Sequence, residues 1–86
     1  MDHVVILGTY VADAYRRQGV ASALFAATFA AARAKGYEKL FTYIRADNSA
    51  ALVAYEAQGF RIVGVAERNL RVADRYIDEI MVERFL

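Results

Sequence analysis

The chain has 86 residues, of which 58% are hydrophobic and 24% charged, and its formal net charge is +1. This length supports one domain with a single core, so residues 1–86 are treated as one unit. A charge balance so close to zero, with no run of like charges, argues against nucleic-acid binding. The absence of cysteine excludes disulfides, thiolate zinc sites and a cysteine nucleophile.

The sequence gives no sign of a membrane segment or of a metal site. No run of about 20 apolar residues occurs, and the start lacks the basic-then-apolar pattern of a signal peptide. No cluster of histidines and carboxylates has metal-ligand spacing. We therefore expect a soluble cytoplasmic protein that contacts neither membrane nor nucleic acid and holds no metal.

The first half of the sequence predicts a strand followed by a helix. Residues 3–12, HVVILGTYVA, are nearly uncharged and rich in β-branched types, which favours a strand covered on both faces. Residues 18–35 have the apolar spacing of an amphipathic helix, and Gly36 is a suitable stop. One predicted apolar stripe of this helix contains Val20, Leu24, Ala27 and Ala31. Phe25, Phe29 and Ala32 lie beside that stripe.

The second half predicts a further helix and three strands. Lys39 to Ala46 is predicted to form a strand. Because a helix connects it to the first strand, we expect the two strands to be parallel. Asn48 begins a short capped helix that Gly59 closes. The remaining predicted elements are a strand from Phe60 to Ala66 with an extension to Arg71, a turn at residues 72–74, and a strand from Tyr76 to Phe85. The order β-α-β-α-β-β indicates an α/β (α+β) fold with a mixed sheet, and we expect the phenylalanines in its core.

The turn between the first strand and first helix has the composition of an anion site. The unpaired N–H groups and positive dipole end of a helix N-terminus favour a phosphate. Gly19 lets the backbone approach such an anion, and Arg16 and Arg17 can add charge. The structural alternative is a glycine used for tight packing beside solvated arginines. The second helix, which begins at Asn48, strengthens the prediction of an anion site. If the two strands are parallel, the N-termini of both helices lie at the same edge of the sheet, where ligands usually bind.

Two segments resemble the signatures of the GNAT acetyltransferases. Arg16-Arg17-Gln18-Gly19-Val20-Ala21 is similar to the family's Arg/Gln-x-x-Gly-x-Gly/Ala motif. Residues 48–60, NSAALVAYEAQGF, are similar to its Asn-x-x-Ala-x-x-x-Tyr-x-x-x-Gly-Phe motif. The strand segment YIDEIM at residues 76–81 resembles the branch that contains ribosomal-protein and phosphinothricin-type acetyltransferases.

The resemblance implies a partial GNAT fold that binds acetyl-coenzyme A. It covers the C-terminal half of the family fold and lacks the strands and helices that precede it. The implied cofactor contacts are Thr9, Tyr10 and Val11 for the pantetheine arm, Arg16, Arg17, Gln18, Gly19, Val20, Ala21 and Ser22 for the pyrophosphate, and Asn48. Tyr55 would be the catalytic acid that protonates the departing thiolate.

Several of these residues also have simpler interpretations. Tyr55 could be a packing residue, and Asn48 is a helix cap whether or not it contacts a cofactor. The general base is open: His3 is one candidate, and Glu67, Asp78 and Glu79 are others.

We expect an N-acetyltransferase that passes the acetyl group to a primary amine, on a small molecule or a peptide, by direct attack. The alternatives are a non-catalytic acyl-coenzyme A binding or assembly module and a truncated fragment of a longer acetyltransferase. An apolar first strand without an outer partner would be an adhesive edge, so we also expect a homodimer in which a second copy covers it.

Overall fold

The computed structural model describes residues 4–6 and 20–86, and within them it confirms the predicted order of elements. The first strand is described only at its start, so its predicted continuation to residue 12 lies outside these residues. The elements are β1 (Val4–Ile6), α1 (Val20–Ala34), β2 (Lys39–Arg45), α2 (Ser49–Ala57), β3 (Arg61–Val72) and β4 (Arg75–Phe85).

The four strands form one mixed sheet in the order β1-β2-β4-β3. β1 and β2 are parallel, as the helical crossover between them requires. β4 enters between β2 and β3 and is antiparallel to both. The sheet is therefore parallel at the β1–β2 pair, whose strands flank the first sequence signature in the chain, and antiparallel at the other two pairs.

Both helices pack on the same face of the sheet. Phe25 and Phe29 of α1 and Tyr55 of α2 share a buried cluster with Leu40 and Val82, whose strands lie below them. In α1 the buried stripe consists of Phe25, Phe29 and Ala32. Ala27 and Ala31, predicted to lie on the inner stripe, are exposed, because the larger phenylalanine side chains orient the helix toward the sheet.

Each helix ends in a glycine with left-handed backbone geometry. Gly36 has φ +83° and Gly59 has φ +86°. Beyond them, Tyr37 N–H donates to the carbonyl of Ala32, and Phe60 N–H donates to that of Tyr55, at 3.0 and 3.1 Å. These six-to-one bonds define Schellman motifs, which stop each helix as the glycines predict.

The β3–β4 hairpin is longer than the sequence suggests. β3 continues to Val72, and the loop contains only Ala73 and Asp74, both with positive φ. Such a loop matches the right-handed twist of a hairpin, so pairing continues to Val72 and Arg75.

The expectation that all phenylalanines are core residues is wrong for Phe41, which is half-buried outside the core cluster, and for Phe85, which is 60% exposed. Phe85 is the last residue of β4, and cations from Lys39 and Arg61 lie 5.8 and 5.7 Å from its ring centroid. A ring at a strand end can therefore be held by neighbouring cations without entering the core.

Candidate functional site at the carboxyl edge of the parallel strands

The N-termini of both helices lie at the carboxyl edge of β1 and β2. α2 begins four residues after β2 ends, so its N-terminus is at that edge. α1 ends five residues before β2 begins, so its C-terminus is at the amino edge. With fifteen residues, α1 spans about 22 Å and places its own N-terminus back at the carboxyl edge. The sequence-based expectation that the two helices open on one edge is met.

The first turns of both helices lack acidic side chains. Carboxylates are otherwise favoured in this position, where they offset the positive end of the helix dipole. Ser22 is exposed in the first turn of α1. No carboxylate within these first turns offsets the two helix dipoles, which suits an anionic ligand.

Asn48 caps α2, as predicted. Its Oδ1 atom accepts a hydrogen bond from Ala51 N–H at 3.1 Å, which satisfies one of the free donors of the first turn. Within the part of the chain that the structure describes, Asn48 Nδ2 has no hydrogen-bond partner. The cap therefore leaves the two N–H donors of this side chain available at the edge where the ligand is expected.

Tyr55 is a core residue. Its side chain is 1% exposed and contacts two phenylalanine rings edge-on, Phe25 at a centroid distance of 5.1 Å and Phe60 at 5.0 Å. These T-shaped contacts fix the ring plane. The packing interpretation of Tyr55 is confirmed, and its role as catalytic acid stays a prediction.

A surface pocket of about 360 Å³ opens beside the carboxyl end of β2. It lies where the β2–α2 turn meets the first residues of β4. Its lining residues are Ala46, Asp47, Arg75, Tyr76, Ile77 and Asp78. Asp78 is half-buried there, and its Oδ1 atom accepts a hydrogen bond from Arg68 N–H at 2.9 Å. The pocket thus combines two carboxylates with a cation and an aromatic ring.

Asp47 joins the β2–α2 turn to the hairpin. Arg45 donates to both of its carboxylate oxygens, at 2.9 and 2.8 Å, and Arg75 donates to Oδ2 at 3.3 Å. The hydrogen bond from Arg45 lowers the pKa of the Asp47 carboxyl, and the charge of Arg75 acts in the same direction. The Ala46 N–H also donates to the Asp78 carbonyl at 2.8 Å. These contacts hold the hairpin against the start of α2.

Most of the sequence-predicted cofactor contacts lie outside the described residues. They are Thr9, Tyr10, Val11, Arg16, Arg17, Gln18 and Gly19, and the candidate base His3 lies outside as well. Val20 and Ala21 are the first residues of α1. Of the other candidate bases, Asp78 lines the pocket, whereas Glu79 accepts a hydrogen bond from Asn69 at 2.9 Å and Glu67 is exposed.

Sequence reasoning missed the bridging role of Asp47. The run Asp47-Asn48-Ser49 predicts a helix start, so Asp47 was interpreted only as one of three capping residues. Its partner Arg75 is distant in the chain, and only strand pairing brings the two together. The available signal was the position of Asp47, a charged residue directly after a predicted strand.

The described residues contain no group of three or more histidines and carboxylates placed to hold a metal ion. None of the helices described here has the length and apolar content needed to cross a membrane.

Comparisons with known proteins agree on the family. The family model described as "Acetyltransferase (GNAT) family" matches residues 1–60, which include α1, β2 and α2. No curated protein matches the chain.

Solved acetyltransferase structures share the fold. An N-acetyltransferase from Staphylococcus aureus Mu50 is 28% identical over 81% of this chain, with a TM-score of 0.75. The ribosomal-protein-S18-alanine N-acetyltransferase from Escherichia coli is 28% identical over 83%, with a TM-score of 0.72. A ribosomal-protein-alanine N-acetyltransferase from Brucella melitensis is 25% identical over 83%, with a TM-score of 0.77.

The match covers only part of those proteins. The chain spans 42%, 46% and 44% of the three solved structures, respectively. The fold of this chain thus corresponds to a portion of an acetyltransferase domain. Because the family model covers more than half of the 86 residues and the fold agrees, this chain belongs to the GNAT acetyltransferase family.

Proposed function

We propose that the chain binds acetyl-coenzyme A at the carboxyl edge of β1 and β2 and takes part in transferring the acetyl group to a primary amine. The observation that carries this proposal is the pair of helix N-termini at that edge, neither of which has an acidic side chain in its first turn. Such an edge attracts the diphosphate of coenzyme A. The family match over residues 1–60 supports the same ligand.

The residues present fit this ligand. Ser22 can donate its hydroxyl beside the first-turn amides of α1, and Asn48 Nδ2 remains available beside α2. We propose that Arg16, Arg17, Gln18, Gly19, Val20 and Ala21 complete the pyrophosphate contacts and that Thr9, Tyr10 and Val11 pair with the pantetheine arm. We also propose the cytoplasm as the compartment of this cysteine-free chain.

The proposed chemistry is direct transfer. Acetyl-coenzyme A would supply the acetyl group as a thioester. A backbone N–H near Val11 polarises the carbonyl, a neutral primary amine attacks the carbonyl carbon, and Tyr55 gives its proton to the departing sulfur. The proton that the amine loses passes to a base. This route needs no covalent enzyme intermediate, in agreement with the absence of cysteine.

We propose Asp78 as that base and the neighbouring pocket as the place where the amine approaches. Among the carboxylate candidates that the structure describes, Asp78 lines the pocket, whereas Glu67 and Glu79 do not. A base must come within hydrogen-bond reach of the amine, so a position on the pocket wall is required. The amine belongs to a small molecule or a peptide.

A non-catalytic acyl-coenzyme A binding module is the second candidate function. It is favoured by the coverage, since the chain spans less than half of the three acetyltransferases compared above. The residues that select and position an amine would then be supplied by another polypeptide segment. Binding without turnover is the expected behaviour of such a module.

Calorimetry with acetyl-coenzyme A, followed by a thiol-release assay with a panel of amines, separates these possibilities. Because the chain has no cysteine, every thiol detected comes from coenzyme A. We expect binding and amine-dependent thiol release. Asp78→Asn should abolish most of the release with acetyl-coenzyme A affinity retained, and Glu79→Gln serves as its matched control. Binding without release favours the module, and no binding contradicts both functions.

A further inference from the structure

Two arginines share the carboxylate of Asp47 beside the pocket. Arg45 donates to both carboxylate oxygens, at 2.9 and 2.8 Å, in the bidentate geometry that pairs a guanidinium most fully with a carboxylate. Arg75 reaches only Oδ2, at 3.3 Å, and its side chain is 70% exposed. No other carboxylate that the structure describes pairs with Arg75. Arg75, which lines the pocket, therefore keeps most of its N–H donors for a ligand.

Asp78 adds a negative charge to the same pocket. Its Oδ1 atom accepts a hydrogen bond from the backbone N–H of Arg68 at 2.9 Å, and within residues 4–6 and 20–86 no lysine or arginine side chain forms an ion pair with it. Asp78 lies three positions after Arg75 on β4, so the two Cα atoms are about 10 Å apart. The pocket therefore contains both a cation with available donors and a carboxylate without a cationic partner.

The cavity between these two charges is small and partly apolar. Its volume of about 360 Å³ is near the lower end of the range of about 300–1,000 Å³ that is usual for ligand pockets. Tyr76 and Ile77, which separate the two charged residues along β4, also line it, and the Tyr76 side chain is 58% exposed. Such a cavity suits a compact molecule that has both a positive and a negative group and some apolar surface.

We propose that the acceptor is an amino acid, a small molecule that carries a carboxylate beside its primary amine. This inference rests on the proposed function and deepens it: Arg75 binds the carboxylate of the acceptor, and the amine faces Asp78. An amine without an acidic group leaves Arg75 unmatched. The acetyl group passes from sulfur to the amine nitrogen, the amine loses one proton to Asp78, and the thiolate gains one from Tyr55. The carboxylate of the acceptor is unchanged by the reaction, so Arg75 determines specificity only.

Calorimetry on the full chain in the presence of coenzyme A tests this inference without requiring turnover. The probes are amino acids and the amines that lack only their carboxylate: leucine with 3-methylbutylamine, phenylalanine with 2-phenylethylamine, and alanine with ethylamine. We expect at least one amino acid to bind about tenfold or more tightly than its amine, because hydrogen bonds between charged groups are the strong ones. Arg75→Gln should bring that ratio of affinities close to one. Equal affinities in every pair, or no binding of any amino acid, overturns the inference.

Arg71→Gln is the matched control for Arg75→Gln. Arg71 belongs to the same hairpin and its side chain is 64% exposed, but it pairs with Asp74 at 3.5 Å and does not line the pocket. This variant should keep the preference for the amino acid. Circular dichroism checks that both variants are folded. If the two folded variants lose the preference equally, the general charge of the hairpin causes it, and the contact assigned to Arg75 is wrong.

The same pairs of probes in the thiol-release assay separate this inference from the proposed function. Faster release with an amino acid than with its amine supports both. Equal release within every pair refutes the amino-acid acceptor and leaves acetyl transfer to a primary amine standing. If acetyl-coenzyme A does not bind at all, the proposed function fails, whereas the affinity ratios still decide which ligand the pocket accepts.

Discussion

Tyr55 meets Phe25 edge-on, with ring centroids 5.1 Å apart and ring planes at 88°. The two residues come from different helices, and their contact joins α1 to α2 above the sheet. The tyrosine of the second GNAT signature is therefore a structural residue in its own right. Any loss of activity on its replacement has to be separated from a loss of packing.

Tyr55→Phe and Tyr55→Ala separate these two roles. Phenylalanine keeps both edge-on contacts and loses only what the hydroxyl contributes, so the free energy of unfolding should fall by about 0.5–1.5 kcal/mol. Alanine opens a cavity in the core and should cost about 3–5 kcal/mol. Urea unfolding followed by circular dichroism measures both values. If Tyr55→Phe is stable and binds acetyl-coenzyme A but releases thiol at the wild-type rate, Tyr55 is not the acid.

Two substitutions at Asn48 distinguish its role as a helix cap from its proposed contact with the ligand. Asn48→Ala removes the hydrogen bond to Ala51 and should lower the free energy of unfolding by about 1 kcal/mol. Asn48→Asp keeps the cap, but its carboxylate repels an anion at the same helix end. We expect wild-type stability and several-fold weaker acetyl-coenzyme A binding for the aspartate variant, by unfolding and calorimetry. Wild-type affinity in that variant would exclude Asn48 from the site.

Gly59 and Gly36 form a matched pair of helix stops. Each has φ above +80°, so replacement by alanine should cost each about 1 kcal/mol. A Cβ atom at Gly59 would lie 3.1 Å from Arg84 Nε, whereas a Cβ at Gly36 meets no atom within 4 Å. Gly59→Ala should therefore be the more destabilising variant in urea titrations. Equal costs would mean that the Arg84 side chain moves aside freely.

Glu83 makes the stability of this chain sensitive to acid. The hydrogen bond from Lys39 lowers the pKa of the buried Glu83 carboxyl below its ordinary value of 4.5, and Arg61 adds to the effect. The unfolded chain therefore takes up this proton at higher pH than the folded chain does. The stabilisation is complete above pH 4.5 and is lost as the pH falls through the lowered pKa of the folded state.

Urea midpoints measured from neutral to strongly acidic pH test this dependence. Glu83→Gln should be less stable than wild type at neutral pH and should lose less stability on acidification. Glu56→Gln, on the exposed face of α2, should follow the wild-type curve. Parallel curves for Glu83→Gln and wild type would show that the ion pairs with Lys39 and Arg61 contribute nothing to folding.

The hairpin loop contains a residue type that does not suit its backbone. Ala73 has φ 44° and is followed by Asp74 with φ 56°. Asparagine tolerates the left-handed region better than alanine does, so Ala73→Asn should raise the free energy of unfolding by about 0.5–1 kcal/mol. Ala73→Val should lower it, because a β-branched side chain is disfavoured there. Thermal unfolding of both variants checks the sign.

Local signals were sufficient for the elements and for their ends. Gly36 and Gly59 end their helices, and Asn48 begins one, because capping depends on residues only a few positions apart. The alternation of strand residues and the helical crossover likewise fixed the parallel pairing of β1 and β2. The two GNAT signatures are local as well, which is why the family could be identified from residues 16–21 and 48–60 alone.

The tertiary structure decided what depends on distant pairings. The register of β4 between β2 and β3 brings Asp47 to Arg75 and Glu83 to Lys39 and Arg61, and no local pattern encodes those ion pairs. It also exposes Phe85 and buries Tyr55, because burial follows from where an element lies in the sheet rather than from residue type. The sequence by itself therefore determined the family and the expected ligand edge, and only the packing of strand on strand determined the pocket beside that edge.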